Sequence, residues 1–320
     1  MKIFITRIIP AIAIEKLEAA GCQVDSYHGQ QELPQEELIH ILQGYDALLS
    51  AGTHRLDEDF FRRCPHLKAV ALLSVGYDRL DLNAAKAQGI PVSNTPGVLS
   101  RATADAAFLL MLAVSRNAFQ MYRRIVNGDW GFYQPTAHLG QELYGKTLGV
   151  FGMGRIGSEM ARLCKAAFSM KIVYHNRRVL PNGENPAGAR YVDFDELLQA
   201  SDVLSVHASL SAETAGKFDE AAFRRMKPGS IFINTARGKL HNEEALIKAL
   251  REQWIWGAGL DVTNPEPMAK DNPLLTMDNV CVLPHIGSAT VETRNQMALM
   301  AADNLLAVKE GRPMPQQIPG

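Results

Sequence analysis

From the N-terminus, short apolar runs alternate with stretches whose apolar residues recur every three or four positions. Lys2 to Ile5, Gln23 to Tyr27, Ala47 to Leu49 and Lys68 to Leu73 read as strands; Ile12 to Ala20, Gln35 to Leu42, Asp57 to Arg63 and Leu82 to Gln88 read as helices. Gly21 and Gly44 stand just past two of these helices, where a chain stop favours glycine. Strand and helix in regular alternation is the rhythm of a parallel sheet covered by helices, and this first unit ends near Thr95 to Gly97.

A single long helix is expected from Leu99 to Val126. Its stretch Ala106 to Val114 is apolar almost all round, so it should be sandwiched, bridging two domains and a dimer partner. After a loop carrying Trp130, Phe132, Tyr133 and His138, strands are expected at Thr147 to Phe151, Lys171 to Tyr174, Val203 to His207, Ser230 to Asn234, Gly257 to Asp261 and Val280 to Leu283. Runs in that number suit a doubly wound dinucleotide-binding sheet. The stretch Thr290 to Lys309 reads as a helix with apolar Met297, Leu299, Met300, Leu305 and Leu306, expected to pack back on the first unit and make it discontinuous.

A length of 320 residues suits two domains, each with its own core. With 47% hydrophobic residues, 21% charged and a net charge of −1, neither disorder nor a polyanion-binding surface is indicated, so the expected partner is a small molecule rather than nucleic acid. Cys22, Cys64, Cys164 and Cys281 form no C-x-x-C pair, which argues for reduced buried thiols. Arg7 and Pro10 interrupt the apolar start, and the run Ala106 to Val114 falls well short of the ~20 residues that span a bilayer. A soluble, cytoplasmic protein without membrane association is expected.

Gly152-Met153-Gly154-Arg155-Ile156-Gly157 is a G-x-G-x-x-G set between the strand ending at Phe151 and the helix-like Ser158 to Phe168. In that context the first glycine makes a tight turn, the second lets backbone approach a pyrophosphate, and the third lets helix and strand pack closely. The stretch Gly140 to Thr147 also matches G-x-x-x-x-G-K-T, but a strand follows it where a phosphate loop requires a helix. At the end of the second strand, where a carboxylate would hold a ribose diol, the chain reads Tyr174-His175-Asn176-Arg177-Arg178. Two guanidinium groups and no acid predict NADP(H) as the preferred cofactor, with NAD(H) possible.

Three further residues follow predicted strand ends, where open α/β sheets bind ligands: Arg237, Glu266 and His285. Hydride delivery to a ketone needs an acid for the oxygen, and histidine titrates near neutral pH. A neighbouring carboxylate favours imidazolium, and an arginine fork can grip a substrate carboxylate while polarising the adjacent carbonyl. Taken singly, each has a bland alternative as surface cation, loop acid or core histidine. Together with the glycine set they point to function.

At these residues the chain resembles the D-isomer-specific 2-hydroxyacid dehydrogenase family, and within it the glyoxylate/hydroxypyruvate reductases. The resemblance runs through Ser74-Val75-Gly76-Tyr77-Asp78, Ala102-Thr103-Ala104-Asp105, the glycine set, Thr235-Ala236-Arg237-Gly238, Gly259-Leu260-Asp261-Val262 and Pro284-His285-Ile286-Gly287-Ser288. It implies an α/β protein of two Rossmann-like doubly wound parallel-sheet domains. A discontinuous flavodoxin-like substrate domain (1–98 plus 289–320) would surround an inserted dinucleotide-binding domain (99–288). The implied activity is hydride transfer from NADPH to glyoxylate or hydroxypyruvate, giving glycolate or D-glycerate, in a homodimer.

By that resemblance His285 would be the acid/base, Glu266 its partner and Arg237 the substrate clamp, with the N–H groups of Val75 and Gly76 holding the substrate carboxylate. Thr103, Gly152, Gly154, Arg155, Ile156, Gly157, Thr235, Ala236, Asp261, His285 and Gly287 would border the cofactor, Asp261 near its carboxamide, and Asn176, Arg177 and Arg178 its ribose phosphate. Where the family commonly has proline and threonine, this chain has Ser209 and Ser211. The alternatives are an NAD-dependent D-lactate-type or formate-type dehydrogenase, or a dinucleotide-sensing corepressor on the same fold.

Overall fold

The computed structural model describes residues 1–181 and 186–319; Gly320, the last residue of the expected substrate domain, lies outside them. The chain divides into two compact units, Met1–Leu99 with Ser288–Gly320, and Ser100–Gly287.

The first unit carries β1 (Lys2–Ile5), α1 (Ala11–Ala19), β2 (Gln23–Ser26), α2 (Gln35–Leu42), β3 (Ala47–Ser50), α3 (Glu58–Arg63), β4 (Ala69–Leu72), α4 (Leu82–Ala87) and β5 (Val92–Ser93). Its strands pair in parallel in the order β2-β1-β3-β4-β5, the flavodoxin-like order. Period-two alternation sends Ile3 and Ile5 into one layer and Phe4 into the other. Asp57 and Asp81 each accept a hydrogen bond from the third amide of the helix they precede, so they cap α3 and α4.

The second unit carries α5 (Ser100–Ser115), α6 (Ala118–Val126), β6 (Thr147–Phe151), α7 (Arg155–Phe168), β7 (Lys171–His175), β8 (Arg190–Tyr191), α8 (Phe194–Ala200), β9 (Val203–Val206), α9 (Glu220–Arg225), β10 (Ile231–Asn234), α10 (Glu243–Arg251), β11 (Gly257–Leu260) and β12 (Val280–Val282). Its parallel sheet runs β12-β11-β10-β9-β6-β7-β8, a Rossmann order extended by one strand. The two-residue strands β5 and β8 were not expected from the sequence; both are too short to show a pattern. The chain returns to the first unit as α11 (Val291–Lys309), capped by Thr290, and packs there on α1 and β4. Among the described residues, no helix is long and apolar enough to cross a membrane.

The single helix expected from Leu99 to Val126 is two. Asn117 adopts a left-handed conformation (φ 50°), which asparagine tolerates better than most residues, and the hydrogen-bond ladder breaks there. Between them, α5 and β11 show how closely the core closes. A Cβ on Gly257 would stand 2.8 Å from Val114 Cγ1, and one on Gly259 would stand 2.9 Å from Leu110 Cβ. Two glycines in one strand thus admit the Leu110/Val114 face of α5, while α5 also packs on α7. Leu109, on another face, is half exposed. Leu110→Ala is expected to cost about 2–5 kcal/mol in urea unfolding, the range for a buried leucine whose cavity cannot collapse; a cost below about 1 kcal/mol would show the α5–β11 contact to be loose.

Candidate active site

The glycine set forms the turn from β6 into α7. Gly152 has φ 98°, and a Cβ there would lie 2.4 Å from Ala208 N, so both conformation and space require glycine. A Cβ on Gly157 would lie 2.5 Å from Gly152 O and 2.9 Å from Val150 Cγ1, which is the close packing of helix on strand. Beside Gly154, by contrast, nothing stands within 4 Å of the Cβ position. Gly154 is the N-cap of α7 and brings no side chain to its first amides. Those amides and the positive end of a 14-residue helix are left for an anion, and the residues present fit a dinucleotide pyrophosphate. Arg155 is exposed on the first helical turn and Ile156 half-buried. Thr147 opens a strand, not a helix, so Gly140 to Thr147 is not a phosphate loop.

At the end of β7, Asn176 accepts from the Met153 amide at 2.6 Å and donates to the Met153 carbonyl at 3.4 Å. Its amide group thus holds the glycine turn in shape. Arg177 and Arg178 are exposed, Arg177 with 81% of its side chain, and Arg177 Nη1 lies 4.0 Å from Glu213 Oε2. The neighbouring turn closes without the family's proline: Thr214 Oγ1 donates to the Ser209 carbonyl and accepts from the Ser211 amide, both at 2.8 Å.

Arg237 leaves β10 in a turn organised by Asn234, which is fully buried. Asn234 Nδ2 donates to the Arg237 carbonyl at 2.8 Å, its Oδ1 accepts from the Ala236 amide at 3.0 Å, and His241 Nδ1 lies 3.1 Å away. Burial pushes His241 down to about 4, as it does His207, so both are neutral at pH 7. His207 lies with Nε2 2.8 Å from Ser205 Oγ and Nδ1 3.5 Å from Thr235 Oγ1. Sequence spacing does not single out Asn234; its one signal there is a polar residue ending an otherwise apolar strand.

Glu266 and His285 meet. His285 Nδ1 lies 3.1 Å from Glu266 Oε2, while Glu266 Oε1 accepts from the Thr263 amide at 2.9 Å. Burial works to raise the Glu266 carboxyl, but the His285 and Thr263 hydrogen bonds and the charges of His285 and Arg237 outweigh it and hold it below its ordinary value. It is therefore charged throughout the neutral range. Half of the His285 side chain is exposed.

The His285 backbone is held by Asp261. Its carbonyl accepts from the His285 amide at 2.9 Å, and its two carboxylate oxygens accept from Ile286 and Gly287, each at 2.8 Å. Burial raises the Asp261 carboxyl against the opposing pull of these amides. Gly287 has no room for a Cβ, which would lie 2.9 Å from Asp261 Oδ2 and 3.3 Å from Thr103 Cγ2. Thr103, Asp261 and Gly287 thus share one spot, and Thr235 is buried beside His207. Val75 and Gly76 lie in the first unit, after β4.

A nucleotide-binding glycine turn and a histidine–carboxylate pair with an arginine beside it, all on one Rossmann sheet, define a nicotinamide-dependent dehydrogenase. Residues 108–287 match the profile described as D-isomer specific 2-hydroxyacid dehydrogenase, NAD binding domain. A glyoxylate reductase of Korarchaeum cryptofilum is 41% identical over 318 residues, covering 99% of this chain and 95% of that protein. The crystal structure of a Thermus thermophilus protein superposes with a TM-score of 0.93 at 41% identity, covering 100% of both chains. That of an NADPH-dependent glyoxylate/hydroxypyruvate reductase from Sinorhizobium meliloti, in complex with NADP and malonate, has a TM-score of 0.86 at 31% identity, covering 99% of this chain and 96% of that one. The chain belongs to the D-isomer-specific 2-hydroxyacid dehydrogenase family.

Replacing Glu266 by Gln removes the charged acceptor at His285 Nδ1. In Glu266→Gln, kcat for keto acid reduction is expected to fall about 10-fold or more, the worth of a hydrogen bond to a charged group; a loss below about twofold would show that the pair does not orient the imidazole.

Proposed function

We propose that this enzyme reduces glyoxylate or hydroxypyruvate to glycolate or D-glycerate with NADPH as the preferred donor. The observation that carries the reading is the His285–Glu266 hydrogen bond in the unit that holds the glycine turn. The exposed Arg177 and Arg178 at the end of β7, with no acid among the residues that close the strand, favour a ribose 2′-phosphate. The relatives named above as glyoxylate and glyoxylate/hydroxypyruvate reductases agree with the substrate class.

When bound, the reduced nicotinamide supplies the hydride. The chain's own residues do the rest. Nδ1–H of His285 donates to Glu266, which leaves Nε2 to carry the proton for the carbonyl oxygen as it becomes a hydroxyl. Glu266 remains ionised and holds the Nδ1–H of His285. Arg237, fixed through its carbonyl by Asn234, pairs with the substrate carboxylate and polarises the neighbouring carbonyl. The Val75 and Gly76 amides supply further hydrogen bonds to that carboxylate.

The same reading includes a homodimer. Helix α6 buries none of its residues, and Tyr122, Ile125 and Val126 on it are exposed together with Trp130 (79%), Phe132 (83%) and Tyr133 (86%) in the loop that follows. Apolar surface of this extent marks an interaction site. Analytical ultracentrifugation is expected to show a dimer at micromolar concentration; a monomer would remove this part of the reading.

His285→Ala is expected to lower kcat by roughly two to four orders of magnitude, the worth of a general acid; a loss below tenfold would take His285 out of that role. Across a panel of small 2-keto acids, kcat/KM is expected to be highest for glyoxylate or hydroxypyruvate and higher with NADPH than with NADH. Equal values for the two cofactors would refute the preference, and no turnover of either acid would refute the assignment.

A further inference from the structure

The backbone from Ser74 to Tyr77, after β4, is tied down carbonyl by carbonyl. The Thr95 amide donates to the Ser74 carbonyl at 2.9 Å, Asn94 Nδ2 donates to the Val75 carbonyl at 2.8 Å, and Ser74 Oγ donates to the Gly76 carbonyl at 2.8 Å. The peptides here are trans, and in a planar trans peptide the carbonyl and the following N–H point in opposite directions. Each tie therefore turns the next amide away from the residue that makes it. The Ser74 tie aims the Val75 N–H, the Val75 tie aims the Gly76 N–H, and the Gly76 tie aims the Tyr77 N–H. None of these three amides donates to a protein acceptor among the described residues. Amides rarely go without partners, and a run of oriented donors suits an anion.

Asn94 is itself held from behind. Its amide donates to the Gln316 carbonyl at 3.4 Å, and the Gln316 amide donates to Asn304 Oδ1 at 2.9 Å. Asn304, fully buried in α11, donates in turn to Gln316 Oε1 at 3.0 Å and to the Met300 carbonyl at 2.8 Å. Gln317 bridges Ser93, and the Ile318 amide donates to the Val92 carbonyl at 2.8 Å, so the segment from Met314 to Ile318 is strapped along β5.

We propose that Asn94 is a positioning residue for the substrate carboxylate: it fixes the Val75–Gly76 peptide so that the Gly76 N–H is aimed before substrate arrives, and the strap around Gln316 fixes Asn94. The inference rests on the reading of this chain as a 2-keto acid reductase. Donors held in place beforehand cost nothing to reorganise at the moment of binding. Without the Asn94 donor the peptide is free to rotate, and the amide swings off its target.

The test uses the 320-residue chain with Asn94→Leu, assayed with NADPH on glyoxylate and on its uncharged methyl ester. KM for glyoxylate is expected to rise about 10- to 100-fold, the worth of a hydrogen bond to a charged group. With the ester, kcat/KM is expected to stay within about threefold, so the preference for acid over ester collapses while the Kd for NADPH is unchanged. Gln316→Ala should move the same ratio in the same direction by less. An unchanged KM for glyoxylate, or equal losses on acid and ester, would overturn the proposal. If Asn94→Leu does not fold, Asn94→Ser is read by the same ratio. A wild-type protein that turns over neither compound refutes the parent assignment instead.

Discussion

The proposed chemistry of this chain depends on one hydrogen bond, from His285 Nδ1 to Glu266 Oε2, and that bond is made from a backbone that would not choose its own conformation. His285 has φ 54°, a left-handed conformation that costs an L-residue on the order of 1–2 kcal/mol. Asp261 offsets that cost. It takes the amides of three consecutive residues, His285 through its carbonyl and Ile286 and Gly287 through its carboxylate. A buried carboxylate satisfied by backbone amides is rigid, because each acceptor lone pair lost would leave a charge with no water to replace it. The imidazole is thereby carried on a backbone fixed to the end of β11.

Parallel sheets make such an arrangement economical. Every strand of the second unit points its C-terminal end to the same edge, so the residues after β6, β10, β11 and β12 gather there although they are far apart in sequence. The same edge therefore carries the glycine turn, the Arg237 turn, Asp261 and His285. Each group is supported by a polar group set one step behind it: Asn176 behind the glycine turn, Asn234 behind Arg237, Thr263 behind Glu266 through its amide. The first unit repeats the device with Asn94 behind Val75. Asparagine suits this work because it offers donor and acceptor together without a charge to desolvate.

Much of this was legible in the sequence. Short runs of three to six residues announced ten of the strands, glycine spacing announced the nucleotide turn, and residues just past strand ends announced the histidine, the carboxylate and the arginine. What escaped has a common physical origin. Strands β5 and β8 have two residues each and show no period. The break between α5 and α6 turns on the backbone angle of Asn117, while the surrounding residues keep a helical pattern. Asn94 acts through a side-chain bond to the Val75 carbonyl of another segment, and such a partner has no trace in local spacing, while Asn234 acts within its own turn and shows in the sequence only as a polar end to an apolar strand. Asn176 stands where the spacing suggested a cofactor contact, and the structure shows its amide engaged with Met153.

The central claim is that Glu266 dictates where the His285 proton sits. Nitrogen-15 NMR of histidine-labelled protein reads this directly. With Nδ1 bonded to Glu266, neutral His285 is expected to carry its proton on Nδ1, and this restriction is expected to disappear in Glu266→Gln. A neutral form protonated at Nε2, indifferent to the loss of Glu266, would contradict it.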